Sequence, residues 1–276
     1  MTKDITIVLV DTYAHELSRR AIDITLSRLP CKEVVVFSDR NIFPDGRWIR
    51  TNSLTIDDYN LIMLKHLWLH VHTEHALVVQ YDGMAAIRDH WDDQFLEYDY
   101  IGAIWPWAHH PPNLKVGNGG FSLRSQRLFN LLKNDNVTFK PNLLRNEDLY
   151  IGVYYKDWLV SNGVKYPSID IAEKFSHEQF PGYKPSFGFH GSFNVPYYLN
   201  DHDSEEFVRY LPNRVSESSQ LMALHFLLGG REQLGRLAIE LARKEHPNFV
   251  DMLKQTAVKA AQESYNPEML EVIKSI

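Results

Sequence analysis

A chain of 276 residues, 44% hydrophobic and 12% aromatic, has ample material for a full core and fits one larger α/β domain, or one domain with an appendage. A formal net charge of -6 without any long block of Lys or Arg disfavours a nucleic-acid partner. The lone cysteine, Cys31, excludes an internal disulfide, the N-terminus runs into a strand instead of a signal peptide, and no apolar run has transmembrane length, so a soluble cytoplasmic protein is expected.

Residues 5–10, Ile-Thr-Ile-Val-Leu-Val, predict a strand that Asp11-Thr12 ends. Residues 15–29 follow at helical spacing and Pro30 stops them. Residues 33–38 predict a second buried strand, closed by Asp39-Arg40. Strand, helix and strand with short links make a right-handed βαβ unit with parallel strands. The first turn lacks G-x-G-x-x-G, so a dinucleotide fingerprint is absent.

Thr55-Ile56-Asp57-Asp58 has the pattern of a capping box, and a helix is expected from there to about residue 75. Lys65 lies near its middle. His66 and His70 stand four apart, but without a third ligand nearby they read as solvated helix histidines.

Leu77-Val78-Val79 predicts a buried parallel strand that stops at Gln80-Tyr81-Asp82-Gly83. A carboxylate is thereby set at a strand's carboxyl end, where open α/β sheets bind ligands. An ordinary Asp-Gly turn explains the same residues equally well. A short helix is expected around residues 90–95 and a short strand over 100–104. In the proline-rich loop that follows, Trp105 and Trp107 either pack beneath it or form a stacking platform for a sugar acceptor.

Gly117-Asn118-Gly119-Gly120 implies special backbone angles or close ligand approach, before a strand at 121–123 and a helix from 125. Asn146-Glu147-Asp148 opens another helix, in which the acids either favour its N-terminus or supply a general base. His190, between aromatic-glycine steps, is of interest only if it comes near Asp82. From about residue 204 strand-like runs cease, and helices are expected near 218–228, 233–243 and 249–261. The expected division is residues 1–203 as the α/β domain and 204–276 as a helical appendage, open to partner contact or self-association.

The ordered stretches Leu-Val-Val-Gln-Tyr-Asp-Gly, Tyr-Asp-Tyr-Ile-Gly-Ala-Ile-Trp-Pro, Val-Gly-Asn-Gly-Gly-Phe-Ser-Leu-Arg-Ser, Asn-Glu-Asp-Leu-Tyr-Ile and Phe-Gly-Phe-His-Gly resemble an uncharacterised glycosyltransferase-like family related to GT-A glycosyltransferases. The resemblance spans residues 55–195 and leaves the helical tail outside. It implies a GT-A-like, mostly parallel mixed sheet flanked by helices, and an inverting transfer from a nucleotide-diphosphate sugar, a UDP-sugar by expectation, to a hydroxyl acceptor. It implies Mn²⁺ or Mg²⁺ on Asp82 and His190, with Gln80 where the family has the first acid of D-x-D. By the same resemblance Asp148, or alternatively Glu147, is the base, and Asn118, Gly119 and Gly120 line the donor. The strand-end rule adds Thr12, Tyr13 and Asp39 toward the nucleoside, beside Gln80, Tyr81 and Asp82. Lys65 is assigned to a phosphate or, equally, to solvent. A sugar nucleotidyltransferase and a non-catalytic carbohydrate-binding scaffold are the alternatives.

Overall fold

A computed structural model describes the chain except residues 1, 106–115, 135–136, 140–145, 179–182, 265–267 and 275–276. Two compact units emerge, residues 1–179 with 184–190, and residues 180–183 with 191–276.

The first unit starts as the β-branched runs dictate. β1 (Lys3–Val10), α1 (His15–Arg28), β2 (Cys31–Ser38) and β3 (Arg47–Arg50) follow in order, and both β1–β2 and β2–β3 pair parallel. Of the apolar residues at helical spacing, α1 buries Leu17, Ala21 and Ile24 and leaves Leu26 half-buried. α2 (Ile56–Leu61) begins at the Thr55 capping box, in which the Thr55 hydroxyl accepts from Asp58 N–H and the Asp58 carboxylate accepts from Thr55 N–H. It does not run on as one helix to 75. A π turn over Ile62–His66 and a 3₁₀ turn over Leu67–Leu69 replace it. These turns rotate the chain so that Ile62, Met63, Leu67 and Val71 all meet the sheet core of Val8, Val35, Ala76 and Val78.

β4 (His75–Val79) is buried at every position and pairs parallel with β1. β5 (Gly83–Ala85) follows at once. Residues 88–97 form two 3₁₀ turns in place of the helix expected at 90–95. β6 (Tyr100–Gly102) and β7 (Ser122–Ser125) complete the sheet, whose order is β3-β2-β1-β4-β7-β6 with β7 alone antiparallel to its neighbours. It is a mostly parallel mixed sheet flanked by helices, the fold class expected. Each Val, Leu or Ile fully buried in it contributes about 1.5–3 kcal/mol.

α3 (Gln126–Leu132) is capped by Ser125, and α4 (Glu147–Leu149) passes through a second π turn, Tyr150–Tyr154, to α5 (Lys156–Ser161). After α6 (Ile169–Phe175), β8 (Ser176–His177) and β9 (Gly188–His190) form with β5 a small second sheet, ordered β5-β9-β8.

The second unit is helical among its described residues. α7 (Val195–Tyr198), α8 (Asp201–Tyr210), α9 (Glu217–Leu228), α10 (Glu232–Glu245), α11 (Phe249–Ser264) and α12 (Glu268–Ile273) include the three helices expected. Met222, Leu224, Phe226, Phe249 and Leu253 are buried in it. Among the described residues no helix is long and apolar enough to cross a membrane.

Candidate active site

Strand register builds the site. Gln80 and Gly83 exchange both backbone hydrogen bonds, at 2.9 and 3.0 Å, so Tyr81 and Asp82 form the tip of a two-residue turn at the end of β4. Gly83 then pairs directly with His190 across β5 and β9. On the other side β8 runs parallel to β9, with His177 opposite Phe189, so that the next residue, Glu178, comes level with His190. Three segments far apart in sequence thus deliver Asp82, Glu178 and His190 to one place.

His190 Nδ1–H donates to Glu178 Oε1 at 2.9 Å, and Nε2 faces Gln80 Oε1 at 3.1 Å and Asp82 Oδ1 at 3.7 Å. The Gln80 amide in turn donates to the Tyr59 hydroxyl at 2.7 Å, which directs its oxygen to the imidazole. Gly120 seals the ring's flank, because a β-carbon there would collide with Nε2 and Cδ2. Burial opposes a charge on His190. The Glu178 hydrogen bond and the charges of Asp82, Glu178 and Asp148 outweigh it and push the pKa up to about 9.

The glycine-rich segment joins this cluster to the second acidic motif. Asn118 Oδ1 accepts from Gly120 N–H at 3.0 Å, and Gly119 N–H donates to Asp148 Oδ2 at 3.2 Å. Gly119 is glycine for want of space, since a β-carbon would strike Glu147 Oε1 and crowd Arg124 and Asp148. Glu147 and Asp148 are both buried, and their surroundings separate their roles. Glu147 Oε1 accepts from Arg124 Nη2 at 2.5 Å, in an ion pair whose cation is fully buried. Asp148 has no such partner and its Oδ1 is buried without a hydrogen bond. Burial and the neighbouring Glu147 charge push the Asp148 carboxyl up to about 7, against the Gly119 N–H and Arg124.

The remaining expected residues take other places. Tyr81 lies next to Asp82, whose charge, with burial and then Tyr13 and Asp11, raises its phenol, so the ends of β1 and β4 share one field. Tyr13 is 60% exposed. Thr12 Oγ1 accepts from Leu54 N–H at 3.0 Å, and Asp39 accepts from His15 Nε2 at 2.6 Å. Lys65 does not join the cluster, as its Nζ caps the end of α3 through Leu132 O at 2.7 Å and Asn134 O at 2.9 Å. Trp105 is buried, its ring filling the space left by Gly117 and Gly152, which is the packing alternative and not a stacking platform. Trp107 lies outside the described residues. Glu178 and Arg124 were missed as site residues. Only the strand register and the buried partner of Glu147 single them out.

Among the described residues no three His, Cys, Asp or Glu side chains could hold a metal together, the His66 and His70 pair included. Asp82 and Glu178 lie at opposite nitrogens of one imidazole, so only Asp82 and His190 Nε2, with the Gln80 oxygen, face a common side. Adjacent donors around an octahedral cation with bonds of about 2.1 Å lie roughly 3 Å apart, close to the 3.1 and 3.7 Å separations here. An imidazole nitrogen, a carboxylate oxygen and an amide oxygen are donor types that a hard divalent cation accepts, and their spacing here is compatible with that use.

The model of a family described as "Protein of unknown function (DUF5672)" matches residues 47–190, just over half of the chain. The chain belongs to this family. The DUF5672 segment runs from β3 to β9 and contains Gln80, Asp82, Gly119, Gly120, Arg124, Glu147, Asp148, Glu178 and His190, whereas Thr12, Tyr13 and Asp39 precede it. No curated protein matches the chain. Among solved structures, a glycosyltransferase involved in the glycosylation of the major capsid of PBCV-1 is similar with a TM-score of 0.43 and 13% identity, over 67% of this chain and 91% of that one. The bifunctional IspDF of Campylobacter jejuni is similar with a TM-score of 0.38 and 10% identity, over 59% of this chain and 48% of that one, so the chain spans about half of that protein.

Proposed function

We propose that this DUF5672 protein is an inverting glycosyltransferase that moves a sugar from a nucleotide diphosphate, of the UDP class, to a hydroxyl acceptor on a glycan or other molecule. The observation that carries the reading is the pairing of two unlike sites across Gly119-Gly120: the Asp82–His190–Glu178 cluster and the buried Asp148 with one oxygen unpartnered. A GT-A-like fold is part of the reading, with the sugar nucleotide at the carboxyl ends of β1 and β4, toward Tyr13 and Tyr81.

In the reaction the acceptor oxygen attacks the anomeric carbon, the bond from that carbon to the diphosphate breaks, and the acceptor proton passes to Asp148 Oδ1. A carboxylate poised near neutrality suits that transfer, and one already locked to a guanidinium, as Glu147 is, does not. Asp82 and His190, with Gln80, would hold Mn²⁺ or Mg²⁺. When bound, such a cation neutralises charge developing on the leaving diphosphate. Gly119 and Gly120 keep the backbone close to the donor.

The test is release of UDP from UDP-sugars by the full chain, with product stereochemistry by NMR. Activity is expected to rise with pH through about 7, as Asp148 loses its proton, and Asp148→Asn is expected to lower it by about 10²–10⁴-fold. Calorimetry that finds no nucleotide bound, with Mn²⁺ or without it, refutes the transferase and leaves the carbohydrate-binding scaffold, which Gln80 in place of an acid would suit.

A further inference from the structure

We infer that Glu178 is a positioning residue, which holds the His190 imidazole by Nδ1 and thereby presents Nε2, with its lone pair, to the side shared by Asp82 and Gln80. The inference rests on the metal-assisted reading above and gives Glu178, which that reading names in the cluster without a task, a role of its own.

A carboxylate can only accept, so the 2.9 Å contact between Glu178 Oε1 and Nδ1 requires the proton on Nδ1. In the neutral ring the lone pair then lies on Nε2, which faces Gln80 Oε1 and Asp82 Oδ1. The opposite tautomer would turn the Nδ1 lone pair on the Glu178 carboxylate, and only the ring protonated at both nitrogens donates to Glu178 and to Gln80 Oε1 together. The ring lies flat against Gly120, where a β-carbon would collide with it. Glu178 is committed to this one task, as its second oxygen, Oε2, is buried without a hydrogen-bond partner. Its place follows from the β8–β9 register, which sets a residue on the far side of His190 from the β5 turn. A carboxylate behind a ligating histidine fixes the tautomer and raises its basicity, and losing such a partner typically weakens metal binding by about 10–100-fold.

The experiment compares the full wild-type chain with Glu178→Ala and Glu178→Gln. Mn²⁺ affinity in the presence of UDP is read by EPR, UDP affinity in EDTA by calorimetry, and the tautomer of His190 by ¹⁵N NMR above about pH 9, where the metal-free ring is neutral. Glu178→Ala is expected to weaken Mn²⁺ by about 10–100-fold, to leave UDP binding in EDTA unchanged, and to mix the two tautomers. Glu178→Gln is expected to recover most of the loss, since its amide oxygen still accepts from Nδ1. Unchanged Mn²⁺ affinity and an unchanged tautomer in a folded Glu178→Ala chain overturn the inference. If wild type binds no Mn²⁺ with UDP, the metal-assisted reading fails instead, and the tautomer readout still judges Glu178 on its own.

Discussion

Arg124→Met is the most exacting test of the site's architecture. Arg124 is fully buried, its Nη2 2.5 Å from Glu147 Oε1 and 3.3 Å from Gly119 O, its Nε 3.0 Å from Ser122 Oγ, and its guanidinium 5.4 Å from the Tyr100 ring. Gly119 O keeps the Ser122 hydroxyl at 2.9 Å, so the substitution strands no carbonyl. It does strand Glu147, whose side chain is 6% exposed. Breaking a buried pair from one side costs about 3–5 kcal/mol, while replacing both partners by apolar groups is near neutral. At about 2–4 °C per kcal/mol for a chain of this size, the single variant should lose on the order of 6–20 °C in Tm. Arg124→Met/Glu147→Leu should recover most of it. Urea unfolding of the wild type, the single and the double variants measures the three stabilities. A single variant within about 1 kcal/mol of wild type, or a double variant as unstable as the single one, would refute the uncompensated-charge account. In the double variant, activity should still follow the titration of Asp148.

Gly120→Ala should displace the His190 ring and destabilise the protein by about 1–3 kcal/mol, as overpacking does; a crystal structure with the imidazole unmoved would count against it. In the helical unit, burial lowers His225 to about 4 while its Nδ1–H donates to Phe193 O at 2.9 Å. A depressed histidine stabilises fully above its unfolded pKa of about 6.5 and loses that contribution as pH falls toward the folded value. Asp148, raised to about 7, acts in the opposite sense over the same range, so calorimetry compares the wild type with His225→Phe, and the difference between them should change by about 3 kcal/mol between these pH values.

The main sheet was legible because β1, β2 and β4 are buried runs of β-branched residues and the Thr55 box spells out its own hydrogen bonds. The two π turns were not legible. Residues 59–71 carry a plain helical pattern, and only contact with the sheet decides that an extra residue is inserted at 62–66. Asp82 and His190 could be named from the sequence, but their 3.7 Å approach depends on β5–β9 pairing, which no local pattern encodes. Glu178 escaped notice since a lone acid after a short strand has no period of its own. A lysine on a helix gives no hint of the carbonyls at the end of α3 that Lys65 meets.

The small sheet has a consequence for biosynthesis. Its strands are two or three residues long, and the Gln80–His190 contact it supports spans 110 positions of the chain. Loop-closure entropy must be met before so few backbone bonds repay it. During translation the first four strands can associate while the imidazole is still unsynthesised. A ribosome-stalled or prematurely terminated product ending before residue 188 would carry a nearly complete main sheet and an inert centre.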